Sequence, residues 1–350
     1  MTALEAGHRI DRYEVVRPLG QGGMAAVVEV RHVDLGTRHA LKVLQLYAPW
    51  LHERLIHEGR IQALLRSPHV CRVTDVVRVG DAPGLVMELV DGPSLEVMLA
   101  SYQPNLDQID HLARGILAGV EAAHAAGLVH RDLKPGNVLL EVCGAEVVAK
   151  VADFGLAKTL HDALDTRGNH TTRSGTTLGS PSYMAPEQFR DAKRADRRAD
   201  LFSVGCVLYE LIAGMRPFDG ETPLEVYQRT SSGVYRPLQE VAPNVPTRMA
   251  AAIARALAPD PHDRWPDCAA LRAAWTDGTD DGALAAVWEP SHVALLRSLG
   301  PNAPAVRSTV SIVGRPLPAP IPWSPTVPDA PGSTILPPSG SLVARLVGIG

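Results

Sequence analysis

Over residues 13–43 short apolar runs alternate with polar positions and are broken by glycines, the period-two pattern of a strand meander. Over residues 53–65 the period lengthens. Leu55, Ile56, Ile61, Leu64 and Leu65 fall on roughly one face of a helix, which Pro68 closes. Strands return at 70–79 and 85–90, on either side of a turn punctuated by Gly and Pro at 80–84. Past Asp91 the texture is helical. Residues 109–126 read as a long Ala-rich helix ended by Gly127, a residue suited to the left-handed C-terminal position, and further helices are expected at 199–213, 223–230, 248–257 and 266–275. The pattern predicts an α+β chain with a small β-rich lobe over about 13–90 and a larger helical lobe over about 91–275. Residues 1–12 are an N-terminal extension.

Trp275 is the expected end of this domain. Beyond it only 284–299 keeps a weak amphipathic period, which Pro290 is expected to interrupt. Eleven of the 29 prolines lie between Pro301 and Pro338, with Pro316, Pro318, Pro320 and Pro322 in alternation. Such spacing favours extended polyproline conformation, so 276–350 reads as a Pro-rich disordered tail whose plainest role is a spacer.

Composition narrows the function classes. Apolar residues are 45% and charged ones 21%, the mixture of an ordinary globular protein, and with aromatics at 5% the core must be aliphatic. A net charge of −4 argues against recruitment by bulk charge to nucleic acid or an anionic membrane. The most apolar stretches, 201–213 and 342–350, fall short of the ~18–20 apolar residues of a membrane helix, and residues 1–12 lack the apolar run of a leader. The four cysteines stand far apart with no C-x-x-C pair, which suits reduced thiols in a cytoplasmic protein. Only 5 of the 34 basic residues are lysine, so Lys42 and Lys134, each inside a motif, draw notice.

The stretch Leu19-Gly20-Gln21-Gly22-Gly23 joins one strand to another that begins near Val27. Glycines there let backbone amides approach an anion, so the turn is either a phosphate-covering hairpin or an ordinary Gly-rich turn. A Rossmann turn is disfavoured, because a strand and not a helix follows. Lys42 lies inside the apolar strand Ala40-Leu41-Lys42, where a buried ammonium needs a partner. Glu58, on the inner face of the first helix, is the candidate unless both are surface residues.

Three further segments follow in order: His130-Arg131-Asp132-Leu133-Lys134-Pro135-Gly136-Asn137, Asp153-Phe154-Gly155 and Ala185-Pro186-Glu187. With the glycine turn and Ala40-Leu41-Lys42 they resemble the bacterial, eukaryotic-like (Hanks-type) Ser/Thr protein kinases, and the resemblance covers residues 13–275. It implies a bilobal kinase fold and transfer of the γ-phosphate of ATP to Ser or Thr hydroxyls of protein substrates. In its terms Asp132 takes or orients the hydroxyl proton and Lys134 sits against the γ-phosphate. Asn137 and Asp153 hold Mg²⁺, and Lys42 contacts the α- and β-phosphates, secured by Glu58. Val27 and Ala40 cover the adenine, Leu139 lies beneath it, Met87 is the gatekeeper, and the backbone of Glu88 and Val90 pairs with the adenine edge. Glu187 is expected to pair with Arg264, and Asp200 to brace the catalytic loop.

The resemblance also implies regulation. Arg131 and Lys158 outline a basic pocket for a phosphate in the activation segment, where Thr176 is the expected autophosphorylation site and Thr171, Thr172 and Thr177 compete with it. A homodimer for autophosphorylation suits the family, although no residue pattern here requires one. Departures are Ala25 at the third glycine, Gln62 where the family places an apolar residue, Ser180 in place of threonine, and a longer activation segment over 164–175. The alternative reading is a pseudokinase or ATP-binding scaffold; the presence of Lys42, Glu58, Asp132, Asn137 and Asp153 argues against it.

Overall fold

The computed structural model describes residues 4–21, 25–44, 49–154, 181–191, 195–277 and 287–301, with the side chains of 49–52, 54 and 55 excepted. All belong to one compact unit, Met1–Arg307; a second, Ser308–Gly350, lies outside the described residues.

The first lobe is an antiparallel sheet of β1 (Arg9–Ile10), β2 (Tyr13–Gln21), β3 (Ala25–His32), β4 (Arg38–Leu44), β5 (Val73–Val79) and β6 (Ala82–Glu88), in the spatial order β1-β2-β3-β4-β6-β5. Helix α1 (Pro49–Leu64) lies between β4 and β5 in the chain and packs on β5 and β6. Period-two alternation divides the side chains between two faces. Val28, Val30, Leu41, Val43 and Val86 build one cluster, while Val27, Ala40, Leu44, Leu85 and Met87 build another that Leu139 and Ala152 of the second lobe complete.

The second lobe begins with α2 (Leu95–Ser101) and α3 (Leu106–Ala125). Asn105 opens α3 with a reciprocal cap: its side chain accepts from Gln108 N at 3.0 Å, and Gln108 Oε1 accepts from Asn105 N at 3.0 Å. A hairpin of β7 (Val138–Cys143) and β8 (Glu146–Val151) follows, then α4 (Pro186–Asp191), α5 (Arg197–Ala213), α6 (Pro223–Ser232), α7 (Leu238–Val241), α8 (Thr247–Ala256), α9 (Cys268–Thr276) and α10 (Pro290–Leu299). Helix α5 is buried on nearly every side, so its apolar residues surround the axis where a surface helix would carry a stripe.

Several elements differ from the sequence expectation. The β7–β8 hairpin and α2 were not foreseen. Pro290 opens α10 at its first position, where a missing N–H is harmless, and does not interrupt a helix. The packed body also runs past Trp275: Trp288, Val293 and Leu296 are buried in the main cluster of the second lobe, and Gln108 Nε2 donates to Val287 O at 3.2 Å. The remainder of the expected tail, 278–286 and 302–350, lies outside the described residues. No helix among those described is long and apolar enough to cross a membrane.

Candidate active site

Strand register decides which side chains reach the cleft. Val27 pairs with Lys42 and Ala40 with Met87, so all four sit on one face of the sheet, and a one-residue slip would turn them away. The cavity there is walled by seven expected residues, Leu19, Val27, Ala40, Met87, Glu88, Val90 and Leu139, with Leu89 of the same hinge segment, together with Cys71 and Ala152, which sequence reasoning missed. Ala152 adjoins Asp153, and that adjacency was a usable signal. Cys71 had none, because it arrives from the segment before β5, held by its N–H on Val151 O at 2.9 Å. Burial pushes its thiol well above the ordinary range, so it is an apolar wall and not a nucleophile. Gly20 and Gln21 end β2, opposite Val27 and Ala26. Gly22 and Gly23 lie outside the described residues.

Below the cavity the loop after α3 carries the candidate chemistry. Arg131 is left-handed, with φ at +67°, a conformation that costs a non-glycine residue and persists only where neighbours hold it. Asp200, fully buried on α5, supplies that hold. Its Oδ2 accepts from His130 N at 2.7 Å and its Oδ1 from Arg131 N at 2.7 Å. Burial alone would push the Asp200 carboxyl up, but His124 at 2.8 Å, His130 and the Arg131 N–H outweigh it and hold the group below its ordinary value. From the far side Gln188 Nε2 donates to Arg131 O at 2.9 Å, another support that sequence reasoning missed.

Within this frame Lys134 Nζ lies 2.7 Å from Asp132 Oδ2, and Asn137 Nδ2 donates to Asp132 O at 2.7 Å. Asn137 O in turn accepts from Ala152 N at 2.9 Å, which joins the loop to the start of Asp153-Phe154. His130 bonds Ala152 O through Nε2 at 2.8 Å, and its ring centroid is 4.8 Å from that of Phe154.

The expected Lys42–Glu58 pair is not made. Lys42 Nζ lies 2.8 Å from Asp153 Oδ2. The Asp153 carboxylate is 7% exposed and must have a cation beside it, whereas Glu58 is only half-buried. The other oxygen, Asp153 Oδ1, is buried and has no hydrogen-bond partner among the described residues. An orphaned hard oxygen, beside an Asn137 whose amide nitrogen is engaged and whose oxygen is the available ligand atom, fits a Mg²⁺ ion.

Farther out, Glu187 receives a two-pronged contact from Arg264, at 2.7 and 2.8 Å. The other Arg264 donors reach Ala258 O, Arg198 O and Pro259 O, so all five N–H groups have acceptors, a fork that lysine cannot reproduce. Gly155, Lys158, Ser180 and the activation-segment threonines lie outside the described residues.

Comparison with protein families matches residues 13–276 to the protein kinase domain. The chain is 36% identical over 238 residues to the serine/threonine-protein kinase pkn2 of Myxococcus xanthus, covering 67% of this chain and 28% of that protein. It is 37% identical over 275 residues to the serine/threonine-protein kinase PknL of Mycobacterium tuberculosis, covering 77% and 66%. The chain spans between 28% and 42% of the length of pkn2, of Pkn1 of the same organism and of a probable serine/threonine-protein kinase of Streptomyces coelicolor. Among solved structures the kinase domain of Mycobacterium tuberculosis PknI superposes with a TM-score of 0.61 at 25% identity, over 79% of this chain and 99% of that one. Glycine turn, strand lysine, catalytic loop and Asp153 all fall inside the matched span, and the chain belongs to the protein kinase family, among the bacterial Hanks-type Ser/Thr kinases.

Proposed function

We propose that the chain is an active kinase that transfers the γ-phosphate of ATP to Ser or Thr hydroxyls of proteins, its own activation segment among them. The observation that carries this reading is the Asp132 carboxylate, held at 2.7 Å by Lys134 and framed through its carbonyl by Asn137. A carboxylate fixed in this way can accept the proton of a substrate hydroxyl as its oxygen bonds to the γ-phosphorus. The bond from that phosphorus to the β,γ-bridging oxygen breaks, and ADP leaves. Lys134 stays beside the transferred group as a fixed positive charge. Lys42, now on Asp153, is the cation within the cleft for the α- and β-phosphates, and Asp153 and Asn137 are the residues that would hold Mg²⁺. When bound, that ion would neutralise charge on the phosphates. The free thiols of Cys71, Cys143, Cys206 and Cys268 suit a cytoplasmic setting.

The scaffold reading draws on two observations. Lys42 is engaged by Asp153 and not by Glu58, and one turn along α1 the buried Gln62 leaves its Nε2 without a hydrogen-bond partner among the described residues. Labelled phosphate transfer from ATP with Mg²⁺ separates the two readings. An active kinase gives phosphoserine or phosphothreonine on itself and on a basic acceptor protein, and Asp132→Asn and Lys42→Met lower the rate by about 10²–10⁴-fold. Nucleotide binding with no transfer by the wild-type chain would establish the scaffold.

A further inference from the structure

The adenine cavity has one neighbour that belongs to neither lobe's cleft residues. Pro301, two residues beyond α10, touches the same space as Leu19, Val27, Met87 and Leu139. The volume left there is about 20 Å³, room for roughly one water molecule and far less than a purine needs.

How Pro301 comes to this place is explained by the residues before it. Leu296 is fully buried and Val293 nearly so, which seats α10 on the second lobe. His292 lies 3.1 Å from Gln108 Nε2 and packs on the Tyr102 ring at 5.1 Å. Arg297 Nη2 donates to Gly144 O at 2.8 Å, tying the last turn to the β7–β8 hairpin. Gly300 then takes φ +69° and ψ 172°, a region open essentially only to glycine, and this turn directs the chain to the cleft. Proline suits the end point. It has no N–H to leave unpaired among apolar walls, and its ring supplies apolar area.

We propose that the adenine pocket has a second occupant built into the chain, Pro301, which competes with the nucleotide and must leave before ATP binds. The proposal rests on the reading of this cleft as a nucleotide site. The apparent affinity for nucleotide is then reduced by the fraction of molecules with the seat filled.

Two substitutions empty the seat by different physics. Pro301→Asp places a carboxylate where burial is unfavourable. Gly300→Val places a β-branched residue at a positive φ it cannot hold, in space that is otherwise open. In the full chain each should tighten ADP and ATP binding by about tenfold and lower the KM for ATP, with kcat at saturating ATP unchanged. A separate measurement reads the seat without any nucleotide. In a Cys143→Ser background, a cysteine introduced by Pro301→Cys should be alkylated about tenfold more slowly than one introduced by Ser298→Cys on the exposed face of α10, and ATP should accelerate it. Equal alkylation rates, or nucleotide affinity that is unchanged or weaker in both seat variants, would overturn the proposal. If no chain binds nucleotide while the cysteine at 301 stays slow, the nucleotide reading fails and the competition fails with it, but the seat stands.

Discussion

Asp200, itself fully buried, accepts hydrogen bonds from two backbone N–H groups and faces two histidines. Its carboxyl is held below its ordinary value, so the unfolded chain binds a proton more readily than the folded one. The stability from this group is therefore present above the unfolded value of 3.8 and is lost as pH falls through the lower folded value. Asp200→Asn should destabilise the fold by about 1–3 kcal/mol near neutrality, because an amide nitrogen meets one of the two N–H donors. It should also flatten the acid limb of stability against pH, as urea titrations from about pH 7 to about pH 3 would show. At this scale the sequence was readable where a motif names the residue. Asp200 and the Glu187–Arg264 pair stand where the resemblance places them. It was unreadable where reach decides, since spacing does not say whether Lys42 extends to Glu58 or to Asp153, and only the burial of Asp153 answers that.

Elements were legible in proportion to their periodicity. The strands of the first lobe are short apolar runs set off by glycines, and α3, with a long apolar face, was read within a few residues of its observed ends, Leu106–Ala125. The β7–β8 hairpin escaped because both faces are buried, leaving a nearly continuous apolar run with little alternation. α10 was read only as a weak amphipathic stretch, and its docking on the domain escaped, because only Val293 and Leu296 of its ten residues are buried and its partners Gln108 and Tyr102 lie far away in sequence. Its attachment can be tested directly. Leu296→Ala leaves a cavity in a site with no exposed surface and should cost about 2–5 kcal/mol. If α10 is part of the cooperative unit, the whole chain's denaturation midpoint falls; if the helix melts independently, the midpoint stays and only the helix signal weakens.

At the scale of the whole molecule the two lobes meet through Glu88 at the end of β6. Its Oε2 is 2.8 Å from Lys150 Nζ on β8, which also reaches Glu141 of β7 at 3.1 Å. Burial disfavours charge on Lys150, but Glu88 and Glu141 outweigh it and raise its pKa above the ordinary value. Lys150→Met leaves both carboxylates without their cation. It should lower stability by about 1–3 kcal/mol in denaturant titrations and raise the KM for ATP more than it lowers kcat, because the backbone of Glu88 and Val90, which we propose pairs with the adenine, loses its anchor. Only the Lys150 end of this clamp was hidden beforehand, since it lies outside every motif quoted from the sequence, whereas Glu88 was named for its backbone and not for its carboxylate.

The strip of backbone after Glu88 is stitched to the second lobe almost at once. Val142 N donates to Asp91 O at 3.0 Å and Leu140 N to Pro93 O at 2.9 Å, while between them Gly92 lies so close to Leu140 O that a β-carbon has no place. Leu89 and Val90 are then the only residues left to rotate between the Glu88 clamp and that stitching. The linkage is a fulcrum two residues long. Any change in the angle between the lobes would have to be absorbed by the four backbone torsions of these two residues and by a second seam, where Cys71 N donates to Val151 O and Val151 N to His69 O.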